Sequence, residues 1–220
     1  MKKVTILLLT IICIHHSFAQ DNCARTTSFG SANLCLASVN GYQECYTEPT
    51  IKRLADGTEV PANMVLGFYL NNSTYDKMDS IGLIGFDDYF KVYGTKEIMN
   101  FDADKSSLDE MEQVLGGNFI SKNWEEIEKD VNEVGLNIQV GVPTVIDSYN
   151  YDNKTFTYVL LTKYQVESGD SYTMAMTMNG MLVNQRLVWM AYYLNYQDEN
   201  TIAKLKTNSN EILRRMIASN

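Results

Sequence analysis

Tyrosine is the residue type in this sequence with the clearest potential for recognition. The chain has 14 tyrosines among 220 residues, and such side chains bury area while keeping a polar hydroxyl for a partner. Strand propensity explains much of this content without any partner. We nevertheless favour a recognition surface on the middle and last strands. The candidate binding residues are Tyr149, Tyr151, Tyr158, Tyr164, Tyr192 and Tyr193.

A methionine repeat suggests a second chemistry. Residues 173–178 read TMAMTM, which on a strand places Met174, Met176 and Met178 on one face. Thioether sulfurs bind Cu(I), so these residues are candidate copper ligands. Methionine also fills irregular cores, and Met181 and Met190 continue the same usage nearby. Core packing is the favoured interpretation.

An acidic pattern before a predicted helix resembles part of a calcium loop. Asp102, Asp104 and Ser106 occupy its positions 1, 3 and 5, but Ser107 replaces the glycine of position 6 and Gln113 the glutamate of position 12. Acids before a helix are expected from the helix dipole alone. Asp102 and Asp104 therefore remain minor metal candidates, and we expect no cofactor.

A carboxylate-based hydrolase is one alternative function. Asp87 and Asp88, with Tyr89 and Tyr93 nearby, could supply acid and base groups without histidine. With 27 acidic residues in the chain, a solvated turn explains this cluster better. The GxSxG, phosphate-loop and GxGxxG signatures are absent from the sequence.

The first 19 residues predict a cleavable secretory signal peptide. Lys2 and Lys3 precede an 11-residue apolar run, and Ser17 and Ala19 provide small residues for cleavage before Gln20. The run is shorter than the roughly 20 residues that span a bilayer, so no transmembrane segment is expected after cleavage. We therefore expect an exported protein of the periplasm or the extracellular space.

Signal removal also changes the chemistry that the protein can perform. His15 and His16 are the only histidines, so the mature chain would have no imidazole for a catalytic triad or a histidine-ligated metal. Its 16 basic and 27 acidic residues would give a net charge of −11. Nucleic acid is a poor partner for such a protein, whereas a basic protein is a suitable one.

Three cysteines remain after the signal, and all lie near the new N-terminus. Cys23, Cys35 and Cys45 allow three single disulfides, each leaving one free thiol. Export makes a disulfide the default expectation. We predict that one bridge holds an otherwise irregular leader, residues 20–60, onto the domain.

Regular patterns begin after Pro61. Residues 63–70 predict a buried strand, 81–93 one or two more, and 137–147, 155–165, 171–182 and 186–195 four successive strands. The last hairpin could turn at Asn179-Gly180, the stronger turn dipeptide, or at Asn184-Gln185, which balances its two arms better. We favour the second turn, with Gly180 then a bulge or a packing site.

Three helices are predicted among these strands. The first begins near Ser107 with capping-box spacing and ends at Gly116, and the second is an amphipathic segment from Trp124 to Val134. The third spans about 200–218, and its acidic start and basic end suit the helix dipole. Its apolar stripe consists of Ile202, Leu205, Ile212, Leu213 and Met216.

These elements predict an α+β fold, a mainly antiparallel sheet covered by helices and ending in a β-hairpin and a long C-terminal helix. The predicted divisions are a signal at 1–19, a leader at 20–60 and a single domain at 61–220. The order of elements over residues 62–218 resembles the α/β/α sandwich of PsbP-type extracytoplasmic domains. Since no residue motif carries this resemblance, it implies no site residue.

The sequence therefore favours an exported, non-catalytic binding or accessory protein, with a protein, glycan or lipid of the envelope as its partner. An inhibitor or immunity protein against a basic toxin is the first alternative, because strong acidity would steer such a partner. The carboxylate-based hydrolase is the second.

Overall fold

The computed structural model describes residues 23–77, 86–116, 122–125, 128–129, 138–166 and 169–220. The predicted signal peptide lies outside these residues. So do Ile127, Val131 and Val134 of the second predicted helix, and the first part of the strand region predicted at 81–93.

An antiparallel sheet of eight described strands forms the centre of the molecule. The strands are β3 (Tyr42–Glu44), β4 (Asn63–Asn71), β5 (Asp88–Thr95), β6 (Ile138–Val140), β7 (Thr144–Tyr149), β8 (Thr155–Val166), β9 (Ser171–Val183) and β10 (Arg186–Asn195). Their order in the sheet is β3-β4-β5-β10-β9-β8-β6, and β7 also pairs with β8. This arrangement confirms the predicted fold class.

Four described α-helices accompany the sheet: α1 (Pro49–Gly57), α2 (Asn72–Tyr75), α3 (Lys105–Leu115) and α4 (Glu199–Ala218). A 3₁₀ turn spans Lys96–Ile98. None of these described helices is long and apolar enough to cross a membrane.

The C-terminal helix α4 matches its prediction and covers one face of the sheet. Leu205, Ile212 and Leu213 are buried in one core with Val188 and Met190 of β10. The start of α3 differs from its prediction, because the N-cap is Asp104 and Ser107 is the third helical residue. The side chain of Asp104 accepts from the Ser107 amide, and the Ser107 hydroxyl in turn accepts from the Asp104 amide.

The prediction of an irregular leader is wrong for residues 23–37. Strands β1 (Cys23–Phe29) and β2 (Ala32–Ala37) form a hairpin, and Cys23 and Cys35 form a disulfide between them. Phe29 and Leu36 are buried in the same core as α4. Cys45 is a free, buried thiol that donates to the Phe68 carbonyl, so it takes no part in the bridge.

The last hairpin turns at Asn184-Gln185, the position that the balance of its two arms predicts. Asn184 and Gln185 have φ values of 47° and 59°, the left-handed conformation that a two-residue hairpin turn requires. Arg186 pairs with Val183, so β9 and β10 run in register from that turn. The strand predicted at 137–147 is instead two strands, β6 and β7, separated at 141–143.

Gly180 is a packing site, because an added methyl group would collide with a buried ring. A Cβ atom there would lie 2.4 Å from Cε1 and Cζ of Phe156, which is 1% exposed. Gly180→Ala should therefore lower the free energy of unfolding by about 1–3 kcal/mol in chemical denaturation. Gly57→Ala is the control, since its Cβ would meet nothing within 4 Å. Equal stability of the two variants would contradict this assignment.

Candidate functional site

The sheet face opposite α4 gathers tyrosines from four strands. Side chains alternate along a strand, so Tyr193 points away from the face where Tyr192 packs in the core with α4. Tyr193 pairs with Tyr89 on β5, and Tyr164 of β8 pairs with Tyr172 of β9. We call this surface the tyrosine face, and its members are Tyr89, Tyr93, Tyr164, Tyr172 and Tyr193.

The rings of the tyrosine face stack closely. The Tyr89 and Tyr193 centroids lie 4.6 Å apart with 9° between the ring planes, and those of Tyr164 and Tyr172 lie 5.4 Å apart at 11°. Phe68 extends the first stack, 5.5 Å from Tyr89. Stacked rings on paired strands form a rigid, flat surface that loses little conformational entropy when a partner binds.

Helices pack on either side of the tyrosine face and leave its middle half-buried. On one side, Leu108 of α3 packs in a cluster with Phe156 and Trp189. On the other, Ile51 of α1 packs with Phe68. Between these clusters the tyrosines keep part of their surface exposed, and Tyr172 is the most open at 40%. Among the described residues, the part of the face between the two clusters, together with Tyr172, is thus what a partner can reach.

One ion pair lies within this surface. The Lys91 ammonium is 2.5 Å from a Glu59 carboxylate oxygen, and the two side chains are only 14% and 8% exposed. The same ammonium lies 5.2 Å from the centroid of the Tyr93 ring. Lys91 and Glu59 therefore neutralise each other, and the face presents mainly aromatic surface.

Burial raises the pKa of the phenols of this face, so they stay neutral well above neutral pH. It raises the pKa of Tyr164 to about 12, and the neighbouring Tyr172 adds to that rise. Burial likewise raises the pKa of Tyr89, Tyr93 and Tyr193, with smaller contributions from nearby tyrosines or from Glu59. The hydroxyls therefore stay protonated at neutral pH and can donate hydrogen bonds to a partner.

Apolar side chains continue the surface to the edge of the sheet. Val140 of β6 pairs with Tyr164, and Val145 of β7 pairs with Leu160 on the same face of β8. Val142 and Val145 are 50% and 47% exposed. An exposed apolar border beside stacked rings is typical of an interaction surface.

The structure brings three of the six predicted tyrosines to this side of the sheet, Tyr158, Tyr164 and Tyr193, but α3 covers Tyr158 and keeps it out of the tyrosine face. Tyr192 is buried on the α4 side and donates to Asp88. Tyr149 lies on that side too, beneath the Lys206 ammonium. Tyr158 is buried under α3 and donates to the Glu112 carbonyl, whereas Tyr151 lies in the exposed loop after β7.

Sequence reasoning missed Tyr172 as a member of the face and placed Tyr89 and Tyr93 in a different candidate site. Pairing of the two strands predicted at 155–165 and 171–182 would have placed Tyr172 opposite Tyr164, so a local signal existed. The pairing of Tyr89 with Tyr193 joins residues far apart in sequence, and no local pattern indicates it.

The three methionines share the tyrosine face. Met174 is buried, Met176 pairs with Tyr193 and Leu160, and Met178 pairs with Tyr158. Met176 and Met178 pack against the cluster of Leu108, Phe156 and Trp189. These contacts fit the packing interpretation, and copper binding stays a prediction.

Asp102 and Asp104 have structural partners. Asp102 accepts a hydrogen bond from the buried Arg186 guanidinium at 2.5 Å, and Asp104 caps α3. Within the described ranges, no group of three or more histidine, cysteine, aspartate or glutamate side chains is placed to hold a metal ion.

The sheet separates the members of the predicted acid and base cluster. Asp88 accepts from Tyr42 at 2.6 Å and from Tyr192 at 3.0 Å on the α4 side. Tyr89 and Tyr93 lie on the opposite face. A shallow pocket elsewhere contains Asp56 and Glu59, but each carboxylate is already paired with a lysine. Neither place offers two free, facing carboxylates.

No family model matches the chain, and no curated protein matches it. Among solved structures, the Ran-binding protein Mog1p of Saccharomyces cerevisiae has 10% identity and a TM-score of 0.37, covering 89% of this chain and 94% of its own. Cyanobacterial PsbP (CyanoP) of Synechocystis has 12% identity and a TM-score of 0.38, covering 87% and 91%. The resemblance to PsbP domains is therefore one of fold outline alone.

Proposed function

We propose that this protein is an exported, non-catalytic binding protein that holds a protein partner on its tyrosine face. The stacked, half-buried rings of the tyrosine face, among which Tyr172 is 40% exposed, carry this proposal. Tyrosine is enriched in binding hot spots, where it is surrounded by contacts that exclude water. The apolar border beside the tyrosine face can supply such contacts. A flat surface also suits a protein better than a small molecule, which needs a concave pocket.

Substitution of the most exposed ring of the tyrosine face should weaken binding without affecting the fold. Tyr172→Ser should weaken capture of the native envelope partner at least tenfold, because loss of a hot-spot tyrosine typically costs about 2 kcal/mol or more. Tyr151→Ser is the matched control, since Tyr151 is 37% exposed but lies outside the face. Quantitative pull-down with both variants measures the effect. Equal capture by the two variants, whether retained or lost, would contradict the proposal.

Export is supported by the sequence of residues 1–19 and by the disulfide between Cys23 and Cys35, which forms in oxidising compartments. The intact mass of protein purified from its native source should correspond to a chain that begins at Gln20 and carries one disulfide. A mass that retains residues 1–19, or a fully reduced chain, would contradict export.

A further inference from the structure

At the most exposed corner of the tyrosine face, the Tyr172 ring and the Asp87 carboxylate lie on the same side of the sheet, across the end of β10 from each other. Asn195 donates to the Asp87 carbonyl at 2.8 Å, and Tyr196 donates to the Thr173 carbonyl at 2.9 Å. These bonds place Asp87 and the start of β9 on opposite sides of the end of β10, about two strand spacings apart. Asp87 directly precedes β5 and meets Asn195 in the register of β5 and β10, so its side chain falls on the face of Tyr89 and Tyr172. Asp87 is exposed, and its charge adds to the effect of burial in raising the pKa of Tyr172.

The same combination of groups recurs in this molecule, each time with a cation. Four basic side chains lie 4.4–5.4 Å from the centroid of a tyrosine ring, and each of them also forms an ion pair with a carboxylate. The sets are Arg25 with Tyr46 and Glu44, Lys52 with Tyr46 and Asp56, Lys91 with Tyr93 and Glu59, and Lys206 with Tyr149 and Asp147.

We propose that Tyr172 and Asp87 form a binding site for an arginine side chain of the protein partner. The corner has the ring and the carboxylate, and no basic residue in the described part of the chain supplies the cation. An arginine fits better than a lysine, because its planar guanidinium stacks on a ring while donating two hydrogen bonds to a carboxylate. The net charge of −9 favours approach of a basic partner. This inference rests on the function proposed above.

Binding of a labelled arginine-rich peptide to the purified full chain tests the site. Tyr172→Ser and Asp87→Asn should each weaken binding about tenfold, the loss expected when one half of a cation–π and ion-pair site is removed. A citrulline peptide of the same sequence should bind at least tenfold more weakly, since citrulline keeps the shape of arginine without its charge. Lysine in place of arginine should give an intermediate affinity.

Two controls distinguish a specific site from general attraction. Glu110→Gln removes the same charge as Asp87→Asn from an exposed position on α3, and Tyr151→Ser removes an equally exposed ring. Both should bind the arginine peptide as the wild type does. Equal losses in Asp87→Asn and Glu110→Gln, or tight binding of the citrulline peptide, would overturn the arginine site.

The native partner separates this inference from the proposed function. Loss of capture in Tyr172→Ser with full capture in Asp87→Asn would keep the tyrosine face as the binding surface and overturn the arginine site. Full capture in Tyr172→Ser would overturn both. Tenfold losses in both variants, with unchanged melting temperatures, are the expected result.

Discussion

Replacement of Glu44 by glutamine should lower the free energy of unfolding by about 3 kcal/mol or more, the effect of breaking a buried ion pair. Glu44 is 4% exposed and accepts from Arg25 through both carboxylate oxygens, at 2.9 and 3.1 Å. Its Oε1 also accepts from the backbone amides of Tyr46 and Phe68. Glutamine preserves the shape of the side chain but leaves the Arg25 charge without its partner.

The position of this pair explains why its loss should unfold more than one element. Arg25 belongs to β1, Glu44 to β3, and the arginine also donates to the Leu66 carbonyl of β4 at 2.5 Å. One guanidinium thus joins the disulfide-bonded hairpin to two strands of the main sheet. Loosening of the pair would weaken the attachment of that hairpin to the core.

Glu211→Gln is the matched control, because Glu211 also binds arginine through both oxygens. Its partners are Arg214 and Arg215, but its side chain is 42% exposed. Exposed pairs contribute about 0–1 kcal/mol, so this variant should be nearly as stable as the wild type in urea denaturation. Similar losses in both variants would show that burial does not set the contribution of Glu44.

The polar character of β1 explains why its regular structure escaped prediction. Its half-buried positions include Arg25 and Thr27, and its exposed ones include Thr26 and Ser28. Both sides of the strand are therefore polar, and no alternation between apolar and polar residues reveals it. The side chain that fixes the hairpin is a charge whose partner, Glu44, lies 19 residues away.

The strands of the second half were predictable because each carries its own local signal. Residues 186–195 and 171–182 alternate with strand periodicity, and the balance of the two arms selected the turn at Asn184-Gln185 over the stronger dipeptide at Asn179-Gly180. The tyrosine face was harder to predict from the sequence. To predict its members, one must know which side of each strand faces away from α4 and that β5 pairs with β10. Neither fact can be read from the local sequence.

Asn179, the residue that suggested a turn, should instead be one of the most sensitive positions for stability. It is fully buried in the middle of β9. Its Oδ1 accepts from the Thr157 hydroxyl at 2.7 Å and from the Ser209 hydroxyl at 3.2 Å. Its Nδ2 donates to the Met190 carbonyl at 2.9 Å and to the Thr177 hydroxyl at 3.1 Å. One amide thus joins β8, β9, β10 and α4.

Asn179→Ala should therefore lower the free energy of unfolding by about 2–4 kcal/mol, because it leaves several buried polar groups without a partner. Chemical denaturation measures this loss. Addition of Thr157→Val and Ser209→Ala to Asn179→Ala should cost less than the sum of the three single changes, since each removes a hydroxyl that has already lost its acceptor. Strict additivity, or a loss below about 1 kcal/mol for Asn179→Ala, would show that the amide is not the centre of this network.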